Sequence, residues 1–361
     1  MATILRIAIF VLGLLVVIGT LFSAMATFVV PRSLKDPLTR GVFIITRVFF
    51  SLVIKRAHSF YRRDQIMTFY APLSLLLLVP VWYFLVMIGY MLMFWGTGVE
   101  NWLVAFRDSG SSLLTLGFAP VDGLFRTVLA FSEAAFGLLL VALLIAYLPT
   151  MYSAFSRREA AVTLLEVRAG NPPSALEMIL RYHRIHGLSQ LSEVWRNWET
   201  WFADIEESHT SLPALVFFRS PQPDHSWITA AGAVLDAAAL MQSTVDFKDD
   251  PQAALCIRAG YLALRRIADF FSIPYNPAPR RGDPIEISRE EYEQVVAELE
   301  QAGVPIKAER NEAWLDFCGW RVNYERVLLV LASLVMAPPS PWTGTRPKQY
   351  HIPQVFSKWK A

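Results

Sequence analysis

Residues 111–120, which read SSLLTLGFAP, place hydroxyl groups and a glycine between two long apolar segments of the chain. Irregular backbone at the depth of a membrane is tolerated only where it is buried in protein or lines a water-filled path. Within this stretch, Thr115 offers a hydroxyl beside its own carbonyl, and Gly117 permits a positive φ. These residue types therefore suit binding by backbone oxygens along such a path.

A single carboxyl stands inside the apolar run that follows this stretch. Glu133 lies roughly 13 Å along its helix from the outer end, given the rise per residue of an α-helix. An ionisable group at that depth is a functional hypothesis by default. We expect Glu133 to accept hydrogen bonds from behind the polar stretch rather than to bind a ligand directly. The alternative is a solvated carboxyl near the outer interface.

Three apolar runs are long enough to cross a bilayer, since a spanning helix needs ~20 residues. They cover residues 7–30, 71–95 and 124–147, and the first lacks a clear cleavage site for removal as a signal peptide. With 54% hydrophobic residues and a mean hydropathy of +0.37, the composition excludes a typical soluble enzyme. Two shorter runs, 228–241 and 327–336, are predicted to be core helices.

Basic residues concentrate on one side of these spans. Eight lie between the first span and the second: Arg32, Lys35, Arg40, Arg47, Lys55, Arg56, Arg62 and Arg63. Between the second span and the third there are only Arg107 and Arg126, whereas Arg157 and Arg158 follow the third. The positive-inside rule then predicts a cytosolic loop and a cytosolic C-terminal part, with the N-terminus outside. Within the loop, the pattern at 41–61 predicts an amphipathic helix along the inner membrane face.

Residues 100–114 predict a short helix that cannot span and must enter the membrane and return. The order of span, short helix, Thr-Leu-Gly-Phe-Ala and span resembles the pore loop of the potassium-channel superfamily. The next helix, with Glu133 four residues before Gly137, resembles the inner helix of the bacterial two-span members. The resemblance covers about residues 70–156.

This resemblance implies a selectivity filter in which backbone carbonyls replace the water shell of potassium or another monovalent cation. It assigns the filter to Thr115, Leu116, Gly117, Phe118 and Ala119. It assigns support of the filter to Trp102, Ser112, Asp122 and Glu133, and it makes Gly137 a gating hinge. Because one loop cannot encircle an ion, it also implies a homotetramer.

Two positions depart from the family's pattern. Ala119 stands where the family has a second glycine, and a left-handed backbone there would cost roughly 1–2 kcal/mol. Pro120 replaces an aspartate, and Asp122 comes two positions later. Two alternatives therefore stay open. One is a pore that conducts monovalent cations without selecting potassium, and the other is a membrane-anchored sensor or scaffold whose degenerate loop does not conduct.

After residue 157 the pattern predicts a helical cytosolic domain. Its helices are expected near 158–169, 174–206, 226–245, 251–272, 288–302 and 308–336. Ser288 and Glu291 form a capping-box signature at the start of one of them. The sequence contains neither a nucleotide-binding glycine motif after the inner helix nor a ladder of arginines within a span. The gating stimulus and any cytosolic ligand or partner therefore stay unidentified.

Several clusters in this half invite a chemical role that their spacing does not favour. His183 and His186 have no obvious third ligand, so a solvated basic face is favoured over a metal site. Cys256 and Cys318 are expected to be buried thiols. One aromatic series has the helical spacing of a packed core: Trp195, Trp198, Trp201 and Phe202. We therefore predict no catalytic residue, metal, cofactor or nucleic-acid partner, and a protein that is not an enzyme.

Together these patterns predict an all-α membrane protein in five parts. The parts are an N-terminal span at 1–30, an interfacial helix within 31–65, a pore module at 66–156, a helical cytosolic domain at 157–337 and a proline-rich tail at 338–361. The pore module consists of a span, a re-entrant helix, a filter and a second span. We expect a multi-pass protein in the lipid bilayer of the cell (inner or plasma) membrane.

Overall fold

The protein is described by a computed structural model over residues 2–30, 36–57, 59–99, 101–248 and 250–343. Within these ranges every regular element is helical, and an isolated antiparallel bridge joins Val245 to Ile306. The prediction of an all-α protein is therefore confirmed for the described residues. Arg32, Lys35, Glu100 and the predicted tail from residue 344 onward lie outside them.

The chain divides into two compact units. The first unit combines Met1–Arg56 with Ile66–Ser153, and the second combines Ala57–Gln65 with Ala154–Ala361. The helices of the first half of the chain are α1 (Ala2–Phe28), α2 (Pro37–Ile54), α3 (Phe60–Thr68), α4 (Tyr70–Gly96), α5 (Trp102–Leu113) and α6 (Leu124–Ala169). Of these, α3 and α6 contribute residues to both units.

Four stretches of helix are long and apolar enough to cross a membrane: Thr3–Phe28, Pro37–Ile54, Phe60–Gly96 and Leu124–Ala169. They indicate a membrane-embedded protein. The sequence predicted three spans, and the additional candidate is α2, for which it predicted a surface helix at 41–61. α2 begins earlier than predicted because the Asp36 carboxylate accepts a hydrogen bond from the N–H of Thr39 at 2.7 Å.

α1 packs against α4 along a seam of glycines. A Cβ atom added at Gly13, Gly89 or Gly96 would lie under 3.0 Å from an atom of the opposite helix. Small residues of this kind let two helix backbones approach closely, and the resulting van der Waals contact drives association where lipid removes the hydrophobic effect. The indole N–H of Trp82 on α4 also donates to the hydroxyl of Ser23 on α1 at 3.0 Å.

α6 is a single helix of 46 residues that contains Pro149. The sequence predicted a span at 124–147 and a helix at 158–169, and the structure joins them without interruption. A proline inside a helix removes one backbone hydrogen bond and strains the preceding turn, but it does not oblige the chain to leave the helix. At ~1.5 Å per residue, α6 is ~69 Å long, about twice the thickness of the hydrocarbon core.

The second unit continues with α7 (Ala175–Arg184), α8 (Leu191–Ser211), α9 (Trp227–Ser243), α10 (Pro251–Phe270), α11 (Arg289–Gln301), α12 (Arg310–Arg321) and α13 (Glu325–Val335). The predicted helices at 174–206 and 308–336 were wrong in extent, since each is two helices. The first ends early because His186 adopts a left-handed φ of +54° and the N–H of Gly187 bonds to the carbonyl of Tyr182 at 2.7 Å. His183 and His186 therefore do not share a helix.

α9 forms the centre of the second unit, since every residue from Trp227 to Leu240 is buried. Its one charged residue, Asp236, accepts hydrogen bonds from Arg321 and from the hydroxyl of Tyr324, the latter at 2.8 Å. Arg321 also donates to Glu325 Oε1 at 2.7 Å and is fully buried. Burial alone lowers the pKa of Arg321, but the two carboxylates raise it overall, so the cation is retained.

Other expectations for this half of the chain are confirmed. The predicted core helices at 228–241 and 327–336 are buried, as is the aromatic series on α8. Cys256 and Cys318 are buried free thiols. Ser288 and Glu291 form the predicted capping box at the start of α11.

A second buried polar cluster surrounds Arg158, whose guanidinium donates to the carbonyls of Leu215 at 2.8 Å and Phe218 at 2.7 Å. His209 is equally buried, and its Nε2 lies 3.3 Å from Nη1 of Arg158. Burial, followed by the charge of Arg158, lowers the pKa of His209 well below its usual 6.5. The imidazole is therefore neutral and accepts from the guanidinium.

This depressed pKa predicts an acid-labile second unit. Below about pH 6.5 the unfolded chain takes up a proton at His209 that the folded chain refuses, so the free energy of unfolding falls by about 1.4 kcal/mol per pH unit. We expect His209→Gln to lose this slope in denaturant titrations of the full chain between pH 7.5 and 5.5 (roughly one unit either side of the ordinary value). His186→Gln, at an exposed position, should keep it; equal slopes for both variants would contradict the assignment.

Candidate functional site

α5 is a short helix held against α4 in the first unit. Its 12 residues rise ~18 Å, less than the hydrocarbon core. Asn101 begins the helix by accepting a hydrogen bond from the N–H of Leu103 at 2.8 Å. The indole of Trp102 stacks on that of Trp95, at the end of α4, with ring centroids 5.2 Å apart. α5 thus connects the end of α4 to the segment before α6 and is too short to span the hydrocarbon core.

Ser111, near the end of α5, organises the segment that follows the helix. Its carbonyl accepts from the N–H groups of Leu116 at 2.9 Å and Gly117 at 3.4 Å. Its hydroxyl accepts from the N–H of Ala119 at 3.1 Å. One residue of the helix therefore satisfies three amides of the segment 115–119.

The carbonyls of the segment 115–119 are left for other partners. None of them accepts a hydrogen bond from any residue that the structure describes. Residues 115–118 are exposed, including the Leu116 and Phe118 side chains. The segment thus offers a row of neutral backbone oxygens, together with the Thr115 hydroxyl, which is the ligand type that can replace a cation's hydration shell.

Two residues of this segment have a left-handed backbone. Gly117 adopts a φ of +70°, as the sequence expected of its glycine, and Thr115 adopts a φ of +54°. Ala119, where the sequence located the strain, is not among the residues with positive φ. A positive φ is an outlier for a β-branched residue such as threonine, so the strain falls at the start of the segment rather than at its end.

The carboxyl of Glu133 lies where α4, α5 and α6 meet. Its side chain is fully buried, and Oε1 lies 2.5 Å from the hydroxyl oxygen of Ser109 on α5. The same hydroxyl lies 3.1 Å from the carbonyl oxygen of Met87 on α4. Glu133 therefore contacts α5 and is not solvated, whereas its predicted support of the filter stays a prediction.

Gly137 is a point of close packing between α5 and α6. A Cβ atom at this position would lie under 3.0 Å from the carbonyl oxygen of Leu113, the last residue of α5. The hydroxyl of Tyr83 on α4 donates to the carbonyl of Gly137 at 2.6 Å. The helix continues through Gly137, and the role that the structure shows for this glycine is to allow close approach of the end of α5. The predicted gating hinge at Gly137 stays a prediction.

Among the described residues, three that were predicted to support the filter form no side-chain hydrogen bond with the segment 115–119, although the carbonyl of Ser112 accepts from the N–H of Thr115 at 3.0 Å. Trp102 stacks at the other end of α5, as described above. The hydroxyl of Ser112 donates to the carbonyl of Asp108 at 2.8 Å within its own helix. Asp122 is exposed in the loop before α6.

Sequence reasoning assigned no role to the two serines whose side chains make these contacts, Ser109 and Ser111. It also missed Asp108, which is buried beside them, and Arg107, whose guanidinium lies 5.8 Å from the ring centroid of Phe118. A signal was present, because residues 107–112 read RDSGSS between apolar stretches. Which of these polar side chains faces the segment depends on the rotation of α5, which the sequence does not state.

No group of three or more His, Cys, Asp or Glu side chains that could hold a metal ion occurs among the described residues. The site therefore consists of backbone oxygens, hydroxyls and one buried glutamate. Comparison of the chain with protein-family models, curated proteins and solved structures finds no match.

Proposed function

We propose that the protein is a potassium-channel-like pore in which four copies of the chain conduct monovalent cations. The observation that carries this proposal is the segment 115–119, whose amides bond to Ser111 and whose carbonyls accept no hydrogen bond from the described residues. Carbonyls at membrane depth need a partner. A cation that gives up its water shell to rings of such oxygens would supply one.

The position of α5 supports the same proposal. The carboxyl end of a helix carries a partial negative charge, which stabilises a nearby cation. Leu113 ends α5 immediately before the segment. Because a single segment cannot surround an ion, the exposed residues 115–118 would face their equivalents from three further copies across an axis. In this proposal the C-terminal unit regulates the pore, since α6 is a continuous helix that contributes to both units.

Gly117→Ala should abolish ion flux from liposomes that contain the purified protein. At a φ of +70° an alanine costs roughly 1–2 kcal/mol, and relief of this strain would move the carbonyls of the segment. Gly123→Ala is the matched control, because Gly123 also has a positive φ, at +90°, and open space around it. The control carries the same kind of strain outside the segment, so it should conduct like the wild type.

The same assay, with vesicles loaded with potassium or with sodium, decides selectivity. Flux that favours potassium would support a selective filter, and equal flux of the two ions would support the non-selective version. Flux that survives in Gly117→Ala at the wild-type rate would overturn the assignment of the filter. If the protein is well folded and tetrameric but shows no flux, the assay would be repeated with the chain truncated after α6. This truncation removes most of the C-terminal unit, to which the proposal assigns regulation of the pore.

A second candidate function is a membrane-anchored sensor or scaffold with a non-conducting loop. It is favoured by the φ of +54° at Thr115, since a β-branched residue there does not suit a regular stack of carbonyls. A particle that is monomeric or dimeric in mild detergent and shows no flux would establish this candidate over the channel.

A further inference from the structure

The hydroxyl of Ser109 has more acceptors than it has protons. Its oxygen lies 2.5 Å from Oε1 of Glu133 and 3.1 Å from the carbonyl oxygen of Met87. A serine hydroxyl carries one proton, whereas a backbone carbonyl and an ionised carboxylate can only accept. If Glu133 were ionised, the two short contacts would have to share the single hydroxyl proton in a three-centre bond. Both can be full hydrogen bonds, each with its own proton, only if Glu133 supplies a second proton.

The surroundings of Glu133 favour the protonated form as well. The side chain is fully buried, and among the described residues no Lys, Arg or His forms an ion pair with it. Its second oxygen, Oε2, is buried and has no hydrogen-bond partner. An isolated carboxylate without a cation is far more costly to bury than a neutral carboxylic acid.

Each neighbouring helix also places a titratable side chain near Glu133. From α5 the nearby acid is Asp108, which adds a second carboxyl and no cation beside Glu133. From α4 the nearby group is Tyr90, whose hydroxyl lies 2.8 Å from that of Ser132 on α6 and so is engaged elsewhere. No cation among these groups offsets the charge that Glu133 would carry.

We propose that Glu133 is a proton-binding site: it is a carboxylic acid at neutral pH and donates to Ser109, which donates in turn to the carbonyl of Met87. This relay of two hydrogen bonds fastens α5 to α6 and to α4. Removal of the proton at alkaline pH leaves a buried negative charge and removes one of the two hydrogen bonds. α5 is then held less tightly. The consequence for ion flux rests on the proposed function, whereas the protonation state does not.

Infrared difference spectroscopy of the full chain in lipid vesicles at pH 7 tests the protonation state directly. A carboxylic acid has a carbonyl stretch that a carboxylate lacks, and this band shifts when the vesicles are exchanged into D2O. We expect Glu133→Gln to remove one such band and Glu290→Gln, at an exposed position on α11, to remove none. A spectrum in which Glu133→Gln removes no band would overturn the inference.

Ser109→Ala gives a second, independent measurement if Glu133→Gln does not fold. Loss of the acceptor should move the Glu133 band to higher frequency, and an unmoved band would show that the proton does not point to Ser109. Where the protein conducts, the amide of Glu133→Gln can still donate to Ser109, so this variant should keep its flux at alkaline pH while the wild type loses it. If the band is present but neither protein conducts and neither forms a tetramer, the proposed function fails and the proton site stands.

Discussion

Arg321→Met should destabilise the second unit by about 3–5 kcal/mol, the typical result of breaking a buried ion pair. The reason is that Asp236 and Glu325 would remain buried without the cation that both of them contact. The guanidinium also donates to the carbonyl of Trp342 at 2.7 Å, so a backbone acceptor would be orphaned as well. Denaturant unfolding of the full chain, followed by tryptophan fluorescence, measures the loss.

Two further variants separate the buried charge from a general effect of losing an arginine. Arg281→Met removes an exposed guanidinium that pairs with Glu312 at 2.6 Å, and it should leave the unfolding midpoint unchanged. Adding Asp236→Asn to Arg321→Met should recover part of the lost stability, because it removes one uncompensated charge. If Arg321→Met unfolds no earlier than Arg281→Met, the network contributes nothing and the expectation is wrong.

Gly137→Ala should abolish ion flux and lower the stability of the first unit by about 1–3 kcal/mol, the usual cost of overpacking. The added methyl would collide with the carbonyl oxygen of Leu113. A backbone atom cannot rotate away as a side chain can, so either α5 or α6 must move. Leu113 is joined to the segment 115–119 through a single residue, and the displacement therefore reaches the carbonyls.

The matched control for this variant is Gly19→Ala on α1. Gly19 lies inside a helix, and a Cβ at this position has no atom within 4 Å. We expect this variant to conduct normally and to be at least as stable as the wild type, since alanine favours the helix over glycine. Flux with altered gating and unchanged stability in Gly137→Ala would contradict the packing role and support the hinge.

Much of the helical architecture could be predicted from the sequence, because apolar runs and capping residues mark a helix through residues that are close together in the chain. The apolar run around Glu133 fixed the helix that carries it, and Ser288 with Glu291 marked the start of α11. The extent of α6 could not be predicted, since a proline is a break signal in a sequence, whereas here the helix continues through the exposed Pro149. The end of α7 was also missed, because it depends on His186, a residue type that only infrequently takes a left-handed backbone.

The candidate site shows the same limit at the scale of one residue. Ser111 and Ser112 are adjacent and chemically identical, yet only the hydroxyl of Ser111 bonds to the segment, because successive side chains point ~100° apart around a helix. Sequence spacing identifies both serines, and the rotation of α5 that chooses between them is set by packing at Ser109 and Leu113. Glu133 was found because a carboxyl in an apolar run is conspicuous, whereas its partner Ser109 is not.

The contacts of Ser111 also determine when the segment 115–119 acquires its shape. Ordering a loop costs conformational entropy, on the order of 1–2 kcal/mol per residue. Because the amides of Leu116, Gly117 and Ala119 bond to the preceding helix within the same chain, this cost falls during folding and not during ligand capture. A loop that is preorganised in this way can bind and release a ligand without losing that conformational entropy again at each event.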